Sequence, residues 1–582
     1  MGFNFRGNPA DRLRLGVFVV GAGWRKLRSR VLAQRWLPLG SGSVPVSTRL
    51  LIAPQDLRTG DATRATEIYA GRFAFAGKVV SAEGRSPFEI EPPSVEWSEA
   101  LLSFGWLRHM RAAGSTIARA NARALVSDWI ALSQRRDPAG WDIEVVARRV
   151  ISWLTQSPLI LQDADQAFNR RFMRSLAVQT RYLKRAGPIG RDGYPRLVAT
   201  IALAFAALCM AEQGRLLRTA QRRLCDELDR QVLPDGGHIG RNPGLLIELL
   251  LDLLPLRQAF NARNLPPPPA LLNAIDRIMP MLRFFRHGDG AFAQFNGMGP
   301  TPADSLATVL AYDDTRGAPV ANAPHSGYQR LEAGGTVVIA DTGPAPPLGL
   351  SGETHAGCLA FELSSGRSRI VVNCGMPATG REAWRPAARQ TAAHSTVVIE
   401  DTSSCRFLAE GTLMRLCGAP ILEGPAEVPV ERLVREEAQF LRASHDGYAR
   451  RFGVLHARSW RLSPDGDRLD GEDVLRAANT RKAARHTADE WVARFHLYPG
   501  VVPTLLPEAE AVQLTLPSGE TWLFTAPGHE VDIEESVFLA ATGGPRRTDQ
   551  IVVSGDGRAV PRVVWTFLRV APAPAAEPRP RR

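Results

Sequence analysis

Gly352-Glu353-Thr354-His355-Ala356-Gly357-Cys358-Leu359-Ala360-Phe361-Glu362-Leu363 joins a loop of small residues, with one histidine in it, to a run that reads as a strand. Two related passages follow. Arg369-Ile370-Val371-Val372-Asn373-Cys374-Gly375 reads as a strand ending in glycine. Arg389-Gln390-Thr391-Ala392-Ala393-His394-Ser395-Thr396-Val397-Val398 sets a second histidine directly before another strand. Short runs of β-branched and aromatic residues between turn formers favour strands over helices. Runs of this kind begin at 336–340 and recur at 454–458, 494–497, 512–516 and 563–567. Many short strands with no helix between them imply stacked antiparallel sheets, a β-sandwich.

Upstream of about residue 320 the period is helical. Ser94 is placed to cap a helix containing Trp97, Leu101, Leu102, Phe104 and Leu107. Further helices are expected near 115–133, 143–155, 163–186, 195–213, 214–232, 243–261 and 267–285, with Pro and Gly between them. Residues 197–208 and 245–254 are apolar nearly all round, which marks internal helices. Apolar helices among amphipathic ones suit a layered α/α array. The chain therefore divides into four parts: a basic N-terminal segment with short strands or extended cover (1–95), helices (96–315), sheets (316–570) and a Pro- and Arg-rich tail (571–582) expected to be disordered. Within the first part, residues 67–75 alternate weakly and read as strand.

A chain of 582 residues can bury large cores without staples. Its six cysteines form no CxxC pair, so a zinc ribbon or a thioredoxin-like motif is not expected; buried free thiols are. The net charge of +12 and pI of about 9.9 attract polyanions such as nucleic acid, anionic lipid or acidic polysaccharide. Arginine-rich composition is the alternative source of that charge. No basic block is interleaved with aromatics, so a nucleic-acid partner is not expected. The apolar run Leu15–Gly23 follows Arg12 and Arg14 and has two readings: a short export signal, or a basic amphipathic helix against a membrane or the protein body. Elsewhere no run approaches the ~20 apolar residues of a membrane span. GxGxxG after a strand, the Walker A loop, GxSxG and HExxH are all missing.

The order of the three quoted passages resembles the C-terminal domain of the heparinase II/III family of polysaccharide lyases. There a histidine loop leads into a strand, a second strand ends in Asp-x-Gly, and a TAAHNT-like passage follows. Phe104-Gly105-Trp106-Leu107-Arg108-His109-Met110 and Asp235-Gly236-Gly237-His238-Ile239-Gly240-Arg241-Asn242-Pro243 resemble the helical half of that family. The resemblance spans roughly residues 60–570. It implies an incomplete α/α toroid followed by an antiparallel β-sandwich, with a cleft between them. It also implies β-elimination on a uronate polysaccharide, in which a base takes the C5 proton and an acid protonates the departing O4. The family points to the cell envelope or periplasm; a cytoplasmic place is the alternative, since the N-terminus has no clear export signal.

Carried over residue by residue, His355 falls at the family's catalytic histidine, His394 at a histidine that binds or supports a metal, and Asn373 at the Asp of that metal set. The metal would be a divalent cation such as zinc. Asn for Asp weakens such a set. Leu245 stands at the family's tyrosine acid, and Tyr194-Pro195 at its Asn-His pair. Tyr194 and His238 are then the substitutes for proton transfer, and Arg241, Asn242 and Arg389 the candidates for gripping substrate. Each has a plainer reading: His355 and His394 as strand-orienting histidines, His238 with Asn242 in a helix-cap network, and Arg241 in a salt bridge. His445, His456 and His496 read as structural, and Arg450-Arg451 as a solvated edge. Two functions stay open: lyase, or a catalytically degenerate glycan-binding or envelope-associated protein on the same fold.

Overall fold

Several helices in the first half begin where a side chain caps them. Ser94 accepts from the Trp97 amide (3.3 Å), Asp142 from Glu144 (2.9 Å) and Asp165 from Phe168 (2.6 Å). The computed structural model describes residues 9–36, 47–132, 139–313, 317–408, 411–478, 489–557 and 561–571. All but the first residue of the expected disordered tail lies outside them.

The helices needed below are α1 (Pro9–Trp36), α2 (Thr116–Leu132), α3 (Ile143–Thr155), α4 (Gln166–Ala186), α5 (Tyr194–Cys209), α6 (Gly214–Gln231), α7 (Gly244–Ala262), α8 (Pro269–Phe284) and α9 (Thr412–Cys417). Helix α5 is central: α3, α4, α6 and α7 all pack on it, and every residue from Leu197 to Cys209 is buried. The run read as apolar all round is thus internal for the reason expected. Residues 67–75 differ from expectation in part. Ala62–Tyr69 is a helix, because Asp61 caps it and Ala65 and Ile68 share one buried face; the strand starts only at Arg72.

The second half forms two large antiparallel sheets. One runs, in hydrogen-bonded order, Val430–Arg435, Ala438–His445, Val454–Leu462, Arg468–Ala477, Arg562–Ala571, Thr521–Thr525, Ala511–Thr515 and Val502–Leu506. The other runs Val531–Phe538, Arg546–Asp556, Glu490–Leu497, Ser368–Val372, Phe361–Ser365, Thr336–Asp341, Tyr328–Ala333 and Asn322–Ala323, with Val397–Ile399 also paired to Glu490–Leu497. Phe361 of the second sheet stacks on Trp565 of the first, 5.4 Å between ring centres. Buried Arg458 forks onto Asp473 and donates to the Leu359 and Ser395 carbonyls, so one guanidinium ties both sheets.

The second sheet is covered on both faces. Tyr328, Val337, Ile339 and Ala360 belong to the same apolar core as the helices, while Val338, Phe361 and Leu363 belong to the core between the sheets. The fold is a helical toroid followed by, and packed on, a β-sandwich. All six cysteines are free, four of them buried.

Candidate functional site

His355 lies at the end of the loop before Phe361–Ser365, buried where that loop meets the turn Asn296-Gly297. Its neighbours fix both ring nitrogens. Gly297 N–H donates to His355 Nε2 (3.0 Å), and His355 Nδ1 meets His394 Nε2 at 2.9 Å. His394 Nδ1 in turn sits 2.8 Å from the Gln390 carbonyl. Only one proton assignment satisfies every contact: His394 donates from Nδ1 to Gln390, His355 donates from Nδ1 to His394, and Nε2 of His355 accepts from Gly297. Both rings are neutral in that relay and neither keeps a free lone pair. Burial pushes His355 well below the ordinary histidine range, helped by His394 and Arg389, and pushes His394 down to about 4.

The turn facing His355 is itself held. Asn296 accepts from the His355 amide (3.2 Å) and donates to Tyr328 Oη (2.7 Å) and Asp341 Oδ2 (2.8 Å). Gly297 has φ +92°, and a Cβ there would stand 2.9 Å from Asn242 Nδ2 and 3.3 Å from the Glu353 carbonyl. Asn242 from the helical half therefore does reach the His355 neighbourhood. Its Oδ1 accepts from Gly244 N (2.9 Å) at the start of α7, as a cap would.

Of the other sequence candidates, His238, Arg241 and Arg389 lie in closed networks. His238 is buried, accepts from Gly240 N at Nδ1 (3.0 Å) and donates from Nε2 to Gln231 (3.1 Å); burial brings it down to about 4. Tyr194 is half-buried with Arg148 over its ring at 5.3 Å, and Arg148 is itself paired to Asp252 (2.7 Å). Arg241 is buried at the seam between the halves. It pairs with Asp341 and donates to the carbonyls of Ser326 (2.8 Å), Gly327 (3.1 Å), Gly343 (3.1 Å) and Pro344 (3.0 Å). Burial alone would lower its pKa, but Asp341 and Tyr328 raise it above the ordinary arginine value. Arg389 is buried too and donates to the carbonyls of Thr354 (2.9 Å), Ala419 (2.7 Å) and Ser351 (2.9 Å). Burial lowers it to about 10. Among the described residues, no hydrogen bond joins His355 to His238 or to Tyr194.

A metal does not fit this donor set. Both nitrogens of His394 are in use, and Asn373 accepts from Ser395 N (3.0 Å) while donating to Glu362 (3.1 Å). Among the described residues no group of three or more His, Cys, Asp or Glu is arranged around a cation. Glu362 is instead the hub of a buried polar cluster that the sequence did not signal. It accepts from the Gln294 (2.9 Å) and Asn373 (3.0 Å) amides and meets His287 Nε2 at 3.0 Å. The dipeptide Asn296-Gly297 was readable as a turn; that it faces His355 was not. His445, His456 and His496 are buried and hydrogen-bonded, with His456 on Asp473 at 2.7 Å.

An open cleft of about 1300 Å³ does run between the halves, from Glu96 and Arg191 on the helical side to Glu353, Arg385, Glu423 and Arg450 on the sheet side. Of the sequence candidates only Arg389 lines it. Arg450 and Arg451, read as a solvated edge, line it as well, and Arg450 pairs with Glu423 (2.7 Å). Six arginines and six carboxylates border the cleft, so it carries no net charge.

Residues 315–566 match the model of the heparinase II/III-like C-terminal family. FtsZ-localized protein C from Caulobacter vibrioides (strain NA1000 / CB15N) is 32% identical over 567 residues, covering 94% of this chain and 95% of that protein. Among solved structures, heparinase III aligns with a TM-score of 0.70 at 13% identity, over 98% of this chain and 93% of the other. A mutant heparan sulfate lyase HepC from Pedobacter heparinus aligns with a TM-score of 0.62 at 16% identity, over 95% and 90%. At such identity the likeness is one of fold, toroid and sandwich together. With the family model over the sheets and a relative matched from end to end, this chain belongs to the heparinase II/III family.

Proposed function

We propose that this chain is a non-catalytic member of its family, an envelope-associated protein that uses the lyase fold for binding and assembly. The closed relay Gln390–His394–His355–Gly297 carries this reading. A base that removes a C5 proton needs a free lone pair pointed at the sugar. Here that lone pair accepts from a backbone amide, and the residue is 4% exposed. Leu245, where the family has its tyrosine acid, offers no proton to the leaving oxygen. His238, Arg241 and Arg389 cannot replace the missing groups without breaking buried hydrogen bonds, each costing about 1–3 kcal/mol.

The 32% identical relative is named FtsZ-localized protein C, which supports a location shared with FtsZ for this chain. The cleft supports retained binding of a glycan without turnover. Its balanced charge gives an acidic polysaccharide little electrostatic preference over a neutral one. Lyase activity is the second reading, favoured by the size and place of that cleft.

Two measurements test the proposal. A panel of uronate polysaccharides is incubated with the protein and absorbance of the unsaturated product followed; no signal is expected. Product formation that His355→Ala abolishes would establish the lyase instead. A fluorescent fusion in the native cell is expected to coincide with FtsZ, and a uniform distribution counts against the shared location.

A further inference from the structure

The first sheet ends at Val430–Arg435, which among the described residues is paired to Ala438–His445 alone. Glu436 and Glu437, both at positive φ, make the tight turn between the two strands. Ser444 N–H donates to the Pro429 carbonyl across this ladder (3.2 Å), and antiparallel bonding alternates along a strand. Residues 429, 431, 433 and 435 therefore turn their backbone groups toward the neighbour. Those of Val430, Arg432 and Val434 point away from it and have no partner among the described residues.

A row of open amides and carbonyls is a template for another strand. The other sheet edges are poorer ones. Pro503 interrupts Val502–Leu506, Val531–Phe538 carries the carboxylates of Asp532, Glu534 and Glu535, and Asn322–Ala323 is two residues long. Along Val430–Arg435 no proline or bulge blunts the edge, and Val430, Leu433 and Val434 are exposed.

The side chains name the occupant. Glu431, Leu433 and Arg435 share the outer face of the strand. A second copy laid antiparallel, about a two-fold axis at Leu433, sets Glu431 of each copy against Arg435 of the other and Leu433 against Leu433. Within the chain, Arg442 already lies opposite Glu431, and Phe440 opposite Leu433. The joined face then carries an apolar row, Phe440–Leu433–Leu433–Phe440, flanked on both sides by Arg442–Glu431–Arg435. In the same register the open backbone groups of Arg432 and Val434 meet those of Val434 and Arg432 and close the ladder. Moving the axis to Arg432 would set arginine against arginine. Moving it to Val434 would set Leu433 against Arg435 and Glu431 against Glu437. Arg432 is committed inward, donating to the Ala321 and Arg330 carbonyls (2.8 Å each), which steadies the strand from behind.

We propose that the chain forms a two-fold dimer in which Val430–Arg435 pairs with its own copy and the first sheet runs on through both subunits. The dimer does not depend on what the cleft binds.

Sedimentation of the full chain over a concentration series tests it. Wild type is expected to dimerise reversibly. Glu431→Arg or Arg435→Glu alone sets like charges opposite one another at both ends of the contact and is expected to weaken the dimer at least ~10-fold. Both reversals in one chain restore the pairs, and a mixture of the two single variants should form mixed dimers. Val434→Pro removes an amide that the chain itself does not use, and is expected to weaken association by at least ~10-fold with the circular dichroism of wild type. Should the proline variant misfold, the charge variants decide, since Glu431 and Arg435 face solvent. A wild type that stays monomeric throughout leaves the edge to some other occupant and overturns the self-pairing. A dimer indifferent to the single reversals, or one that the combined reversal fails to restore, overturns it too.

Discussion

A histidine acts as a general base through a ring nitrogen whose lone pair can face the substrate. His355 spends Nε2 on the Gly297 amide and Nδ1 on His394, and so joins loop 352–358 to the turn at 296–297. His355→Ala is expected to lower unfolding free energy by about 1–3 kcal/mol, because it orphans a buried amide and the His394 ring. Urea denaturation measures this. The buried histidines also set the response to acid. The ordinary value is 6.5, while His238 and His394 are held at about 4 by burial. Between those values the unfolded chain binds more protons than the folded one, so stability falls as pH drops. Each ring contributes roughly 1.4 kcal/mol per pH unit in that window. Chemical denaturation at pH 7, 6, 5 and 4 should show a steepening loss below about 6.5, and His238→Gln should flatten it.

Elements are joined by contacts that a swap of one residue would break. Arg241 reaches from the turn before α7 to Asp341 at the end of a strand and to four carbonyls around it. Asp341→Ala leaves that guanidinium buried without its partner, a loss of about 3–5 kcal/mol. The expected result is a lower melting temperature, with Arg241→Ala similar in size. Between the two sheets, hairpin tips meet backbone to backbone. Gly334 has φ +53°, and a Cβ there would fall 1.6 Å from the Asp465 carbonyl oxygen. Gly334→Ala is expected to push the tips apart and to destabilise by roughly 1–3 kcal/mol, which thermal unfolding reads.

At the scale of the molecule, the middle sheet belongs to both halves. Tyr328, Val337, Ile339 and Ala360 are buried in one core with the helices. We therefore expect residues 316–570 expressed alone to expose this face, bind a hydrophobic dye and aggregate, while the full chain stays soluble. The net charge of +12 is likewise a property of the whole surface and not of the cleft, whose arginines are balanced. Much of the fold was legible: the cap at Ser94, the apolar run of α5, and strands at nearly every β-branched run. The exceptions were local. At 62–69 a cap and two buried residues outweighed weak alternation.

Periodicity and composition determined by themselves that helices precede sheets, because burial of an apolar face is written in spacing along the chain. The quoted histidine passages determined the family resemblance, and α1 was already visible as basic and apolar. What no spacing contains is which polar atoms meet after folding. Asn296 lies 59 residues from His355 in sequence, and Asp341 lies 100 from Arg241. Hydrogen-bond partners so distant are chosen by packing, and that choice gave both ring nitrogens of His355 a partner.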